Sequence, residues 1–346
     1  MTPPVRSKLS LRGERISVNA HDASRLVQDI FQRVGCDSHT AKTIASHLTD
    51  SSLCGMESHG LMRTLQYAQQ FRDGTINPLS KPFATINKQG SIEVDGNGGI
   101  GIPAMQLAYE KGMQEAKENG ICALAIRNVG HTGRHGAFAD QAAQRGYLTF
   151  CTGGGNRKKW RQVAPYGGAR PMLPTNPWCA GIPGGSKGPV VMDFATSKIA
   201  GGWIYAAKSA DALLPEGCVI DADGIPTRNP DDYFNGGAIL PAEQQKGYAL
   251  ALIAELIGEA MLGPSTVECH WLLITIDTTR FREPSAMQHA AEDVLHELRN
   301  CPAAPGFDQV EIPGEREREY RDRSGGVISI PEETWQQILA LQTSLI

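Results

Sequence analysis

The stretch SIEVDGNGGIGIPAMQLAYEKGMQEAKE, residues 91–118, decides which fold the chain can adopt. Within it, Gly96-Asn97-Gly98-Gly99-Ile100-Gly101 is a formal G-x-G-x-x-G between a strand-like run and a helix, and Glu115 and Glu118 lie further along the helix. In a dinucleotide-binding βαβ unit, such glycines let backbone amides approach a pyrophosphate at the helix N-terminus, and an acidic residue follows about 20 residues on. The preceding strand argues against that unit. Residues 91–95 alternate polar and apolar and form a hairpin with 83–88 through Gln89-Gly90. The strand that opens a Rossmann unit is instead buried and apolar. The glycines therefore read as a turn from a hairpin arm into a helix whose first turn carries Pro103.

Upstream of this stretch the hydrophobic period is helical. Asp22 can cap a segment with Leu26, Ile30, Phe31 and Val34 on one face, and Ser38 can cap a second that carries Ile44, Ala45 and Leu48. A third helix is expected over 58–72, stopped by Gly74 and Pro78. Downstream, helices are expected at 103–118 and 134–144, from Ser197, and at 245–262 and 286–300; strands are expected at 121–127, 147–152, 178–182, 190–194 and 271–276. A polar loop spans 221–237, and 331–345 is helical again. This order predicts a mixed α/β architecture with a helical cap and no internal repeat.

Composition sets the outer limits. The chain has 346 residues, with 33 Lys+Arg against 37 Asp+Glu for a net charge of −4, 41% hydrophobic and 20% charged residues. These are the values of a globular chain with a packed core. A mildly acidic balance without a basic block argues against nucleic acid or an anionic membrane as partner. No apolar run reaches the roughly 18 residues of a membrane span. The most apolar stretch, 248–262, contains Glu255 and Glu259 and reads as a buried helix. Residues 1–15 carry four basic residues without an apolar core, which reads as a disordered lead-in and not a signal peptide. The eight cysteines, at 36, 54, 122, 151, 179, 218, 269 and 301, form no C-x-x-C pair. Reduced thiols and a cytoplasmic location are expected. The 38 glycines and 21 prolines crowd between 153 and 188, pointing to a loop-built site there.

Three clusters carry candidate chemistry. His59, Arg63 and Tyr67 are spaced i, i+4, i+8 on the third expected helix. Arg can hold a carboxylate through two parallel bonds while His exchanges a proton with the neighbouring oxygen, as a 2-oxo acid requires. The spacing also fits a solvated polar face with an incidental histidine, the commoner case. His131-Thr132-Gly133-Arg134-His135 follows an expected strand, where α/β sheets place their sites. His131 and His135 have the i, i+4 spacing of metal ligands but lack the Glu of H-E-x-x-H, so no metal site is expected. Asp193 follows another apolar strand, where it can orient a histidine or cap a helix. The run Gly314-Glu315-Arg316-Glu317-Arg318-Glu319 fits a solvated face.

Six stretches in this order resemble the type-2 malate/L-lactate dehydrogenase family, the group that includes ureidoglycolate, sulfolactate and diketogulonate oxidoreductases and cyclic imino-acid reductases. They are Glu57-Ser58-His59-Gly60 with Arg63, residues 127–136, Gly167-Gly168 through Thr175-Asn176-Pro177, Val191-Met192-Asp193 through Thr196-Ser197, Gln245-Lys246-Gly247-Tyr248, and Pro313-Gly314-Glu315. The resemblance runs from about residue 16 to the C-terminus.

It implies an α/β, non-Rossmann, nicotinamide-binding mixed-sheet fold, with an N-terminal helical domain joined by the C-terminal segment. After the lead-in, the implied parts are a helical domain (16–78 with 310–346), a mixed α/β scaffold (79–125 with 263–309) and a cofactor-binding domain (126–262). The implied activity is hydride transfer between NADH or NADPH and a small 2-hydroxy or 2-oxo carboxylic acid, the alternative being reduction of a cyclic C=N beside a carboxylate. Residue by residue, His59 resembles the proton donor, Ser58 and Asp193 its polar relay, and Arg63 the carboxylate clamp. His131 is similar to a second acid/base histidine. Val191, Met192, Asp193, Thr196, Lys246, Gly314, Glu315 and Arg316 resemble the cofactor contacts, and a homodimer is implied. Arg134-His135 and the run from Asn156 to Arg161 add positive charge where the family shapes its pocket. Both a further anionic group on the ligands and a solvated basic loop fit that charge.

Overall fold

A computed structural model describes residues 14–209 and 212–345. The expected lead-in, apart from Glu14 and Arg15, lies outside the described residues. The first half of the chain forms β1 (Arg15–Asn19), α1 (Ala20–Arg33), α2 (Ser38–Leu53), α3 (Arg63–Arg72), β2 (Phe83–Ile86), β3 (Ile92–Gly99), α4 (Gly101–Asn119), β4 (Ile121–Val129), α5 (His135–Gln144) and β5 (Tyr147–Gly154). Next come β6 (Trp178–Ile182), β7 (Val190–Phe194), α6 (Gly201–Ser209), β8 (Val219–Ile220), β9 (Pro226–Thr227), α7 (Pro230–Phe234) and β10 (Ala238–Ile239). The rest comprises α8 (Gln245–Glu255), β11 (Cys269–Asp277), α9 (Pro284–Arg299), α10 (Glu315–Arg323), β12 (Val327–Pro331) and α11 (Glu332–Ser344).

The described chain groups into two compact units. One contains Thr152–Trp178 and Phe194–Trp271, the other Ile16–Cys151, Cys179–Asp193 and Leu272–Ile346. In the first, the three short strands β10-β8-β9 and helices α6 and α8 close over Val163, Leu173, Ile204, Leu214, Val219 and Ile239. In the second lies most of a seven-stranded mixed sheet, ordered β2-β3-β4-β11-β5-β6-β7. Its β2–β3 hairpin is antiparallel with Phe83 opposite Asp95, and β3 runs parallel to β4. β1 pairs with β12 and α11 packs on α1 and α3, so the C-terminal segment closes the N-terminal helices around Ile30, Phe31, Tyr67 and Phe71. No described helix is long and apolar enough to cross a membrane.

Local departures from the expected elements have local causes. The cap of α1 is Asn19, whose side chain accepts from His21 N (2.9 Å) and Asp22 N (3.2 Å); the cap of α2 is Asp37, not Ser38. An N-cap residue takes an extended backbone, and these two have it. The third expected helix is broken. Glu57–His59 form a 3₁₀ turn and α3 begins at Arg63. Gly60 stands between them because a Cβ there would land on Ser52 Oγ, which caps Leu61 N at 2.9 Å. The helix expected over 245–262 changes at Leu256–Met261 into a π turn, where the backbone of Gly154 and Gly155 presses against Gly258.

The glycine-rich turn opens a βαβ unit, β3–α4–β4, although β3 is also a hairpin arm. Its amides serve the fold. Gly130 N donates to Gly99 O (2.8 Å) and Gly101 N to His131 O (3.0 Å), while a Cβ on Gly101 would come within 2.5 Å of Thr132 Cγ2 and 2.6 Å of Gly130 O. The glycines admit the loop after β4, so the α4 N-terminus is covered by residues 130–132 and offers no open phosphate cradle.

Candidate active site

The site is built on three neighbouring pieces of the second unit. The 3₁₀ turn carries Ser58 and His59, the start of α3 carries Arg63, and the loop after β4 carries His131. Ser58 Oγ and His59 Nδ1 share a hydrogen bond of 2.9 Å. Arg63 Nε donates to Ser58 O at 2.6 Å and its Nη1 to Gln66 Oε1, which leaves Nη2 outside both bonds. The His59 and His131 ring centroids are 5.5 Å apart. Tyr67, one turn after Arg63, is buried completely, and its hydroxyl meets His131 Nδ1 at 2.5 Å.

Thus His59, Arg63 and Tyr67 do converge, but across a helix break rather than along one helical face. Tyr67 also belongs to the core, with its ring 6.4 Å from Phe31. The sequence spacing singled out Tyr67 without indicating its partner, because His131 arrives from 64 residues away.

The electrostatics keep the free site neutral at its imidazoles. Burial, then the Arg63 guanidinium, then the rings of His135 and His47 press the His59 imidazolium down to about 3. His131 lies well below the ordinary histidine range, through burial first and then Arg63 and His59. A carboxylate on Arg63 would cancel part of that positive field and return proton affinity to His59.

Asp193 stands elsewhere than the expected relay. It is exposed at the end of β7, and its Oδ2 accepts from Gly136 N at 2.6 Å in the first turn of α5. Among the described residues no hydrogen bond joins it to Ser58 or His59. The unpaired amides of a helix N-terminus attract a carboxylate there.

The remaining expected contacts fall into two sets. In the second unit, Val191 N donates to Pro313 O at 3.0 Å. Gly314 turns beside Val191 with φ +92°, a conformation suited to glycine, and a Cβ would stand 3.1 Å from Val191 Cβ. Met192 is half-buried beside them. Glu315 opens α10 with its carboxylate gripped by Arg299, while Arg316 is exposed. In the first unit, Thr196 N and Oγ1 both donate to Thr175 O (3.0 and 2.9 Å), and Lys246 is exposed in the first turn of α8.

The extra positive charge divides as well. Arg134 is buried and bonded to Asp50 (2.7 Å), which also takes Arg321 Nε at 3.1 Å, so its charge is satisfied inside the fold. Arg157 pairs with Glu259 at 2.7 Å, while Lys158, Lys159, Trp160 and Arg161 are exposed. His135 Nε2 bonds Thr132 Oγ1 at 2.8 Å, and no metal-holding group of three or more His, Cys, Asp or Glu occurs among the described residues.

A family model described as malate/L-lactate dehydrogenase matches residues 18–339. The chain belongs to this family. It is 29% identical over 344 residues to the L-lactate dehydrogenase of Cupriavidus necator, covering 95% of this chain and 98% of the relative. It is 31% identical over 324 residues to a Delta(1)-pyrroline-2-carboxylate/Delta(1)-piperideine-2-carboxylate reductase of Pseudomonas putida, covering 89% and 92%. The solved structure of sulfolactate dehydrogenase from Methanocaldococcus jannaschii superposes with a TM-score of 0.82 at 28% identity, over 95% of this chain and 97% of that one. Relatives named for NAD(+) and for NADP(+) both occur. As a member of the malate/L-lactate dehydrogenase family, the chain is an oxidoreductase that works with NADH or NADPH, and its mixed sheet is the family's fold.

Proposed function

We propose that the chain reduces a small 2-oxo carboxylic acid, or oxidises the matching 2-hydroxy acid, with His59 as proton carrier and Arg63 as carboxylate clamp. One observation carries the reading: Arg63 Nε is tied to the backbone of Ser58 while Ser58 Oγ bonds His59, so guanidinium and imidazole are held in a fixed relation. A bound nicotinamide supplies the hydride. Arg63 engages the substrate carboxylate through Nη2 and its neighbour, His59 Nε2 delivers the proton to the nascent alkoxide, and Ser58 Oγ keeps the ring oriented in both protonation states. His131 offers a second hydrogen bond to the same oxygen.

In the second unit Val191, Met192, Gly314 and Arg316, and in the first Thr196 and Lys246, are each assigned as dinucleotide contacts. Glu315 and Asp193 enter as anchors of their loops. The segment 126–262 is assigned as the cofactor-binding part, and the active form is assigned as a cytoplasmic homodimer.

Nicotinamide absorbance followed with pyruvate, oxaloacetate, sulfopyruvate and a cyclic imino acid tests the reading. His59→Ala should lower turnover by roughly 10²–10⁴-fold while dinucleotide binding persists. Equal loss of both would remove His59 from the role. Turnover confined to the cyclic imino acid would favour the second reading, which the reductase relative of Pseudomonas putida supports.

A further inference from the structure

We infer that Tyr67 and the amide of Gly133 are positioning groups that lock His131 in its neutral Nε2–H tautomer, making it a fixed hydrogen-bond donor and leaving the proton to His59. This deepens, and rests on, the proposed oxidoreductase site.

Two bonds converge on one nitrogen. Tyr67 Oη lies 2.5 Å from His131 Nδ1, and Gly133 N donates to the same atom at 3.2 Å. A backbone N–H can only donate, so Nδ1 presents its lone pair and the ring proton sits on Nε2. The Tyr67 hydroxyl then donates to Nδ1 as well. Placing a second proton on the ring would break the Gly133 bond and force the Tyr67 hydroxyl to turn, inside a wall where an unpaired polar group is costly.

The lock is built into the backbone. Gly133 has φ +74°, and a Cβ there would land on His47 Nε2. Only glycine lets the chain turn its amide to His131 and pass so close to His47, which itself accepts from Arg134 N at 2.9 Å. Beyond Tyr67, the charged and titratable groups that act on His131 are Arg63 of α3, His59 of the 3₁₀ turn, His135 of α5 and His47 of α2, and each disfavours an imidazolium.

His59 has a different partner. Its Nδ1 faces the Ser58 hydroxyl, which accepts from an imidazolium and donates to an imidazole by rotating. His59 can therefore gain and lose a proton without losing its bond, whereas His131 cannot. The division resembles a carbonyl site in which one group transfers the proton and a neutral imidazole polarises the oxygen.

The test is direct. Protein labelled with ¹⁵N-histidine, free of ligand, is observed in long-range ¹H–¹⁵N spectra from pH 8 to pH 5, with His131→Gln identifying the His131 signals. His131 should show an unprotonated Nδ1 and a protonated Nε2 throughout. A protonated Nδ1, or titration of His131 within that range, would overturn the assignment. Tyr67→Phe should introduce the second tautomer or a titration at His131 and lower kcat roughly ten-fold, about one hydrogen bond's worth, with the dinucleotide KM unchanged. An unaltered His131 spectrum in a folded Tyr67→Phe protein would remove Tyr67 from the role. If that core variant fails to fold, the spectrum of the parent decides alone. Because that spectrum requires no turnover, it can stand while the His59→Ala assay fails, and the reverse.

Discussion

Lowering the pH from 7 to 5 should cost the fold about 2 kcal/mol through His47 alone. His47 is 8% exposed, stacks on Phe138 with centroids 5.0 Å apart, and accepts from Arg134 N through Nε2. Burial first, then the Arg134 cation and His135, press its proton affinity from 6.5 down to about 3. The unfolded chain thus takes up a proton near 6.5 and the folded chain near 3, so stability falls as pH drops through that window. Integrating the uptake from pH 7 to pH 5 gives about 2 kcal/mol, close to the full weight of an imidazole that charges only when unfolded. His59, with the same depressed value, changes stability in the same direction. Urea unfolding followed by tryptophan fluorescence at the two pH values measures the total. His47→Gln keeps an acceptor for Arg134 N but cannot titrate, so its loss between pH 7 and pH 5 should be smaller than the parent's by about 2 kcal/mol. An equal loss in both proteins would mean that His47 takes up its proton in the folded state and contributes nothing to the pH dependence.

Three further outcomes follow from named contacts. Arg63→Lys should raise the 2-oxo acid KM on the order of ten-fold in steady-state assays, since an ammonium cannot reproduce the planar two-bond clamp or retain both tethers to Ser58 and Gln66. Arg299→Met should raise the dinucleotide KM and lower the unfolding midpoint. It leaves the half-buried carboxylate of Glu315, next to the Gly314 turn, and that of Glu292 without their shared cation. Gly101→Ala should reduce kcat by displacing the His131 loop, because its Cβ would press on Thr132 and Gly130 O; unchanged turnover would mean that the loop yields without cost.

The parts of the site that lie close together along the chain were legible. Ser58, His59 and Arg63 span only six residues, so the spacing that marks them as a candidate site is written locally. The strand and helix periods between 121 and 194 were legible for the same reason, since a period of 2 or 3.6 is written by neighbours. Capping was misread by one to three residues because Asn19 or Asp22, and Asp37 or Ser38, are equally good caps by composition; backbone dihedrals choose between them. The i, i+4, i+8 spacing placed His59 on α3, whereas packing of Gly60 against Ser52 breaks the helix there.

Sequence alone determined the alternation of elements and the residue types able to move a proton beside a carboxylate, whereas the glycine-rich turn does open a βαβ unit and only the packing of residues 130–132 closes its helix N-terminus. Tertiary structure alone decided which of those residues meet. Tyr67 finds His131 from 64 residues away, and β1 pairs with β12 from the other end of the chain. Arg134 looked available to a ligand until Asp50 closed on it, and Asp193 looked like a relay until it met the α5 amides. The physical reason is common to all four. Hydrogen bonds and ion pairs act over a few ångströms, so their partners are chosen by packing that brings distant segments together, and no local pattern records that choice.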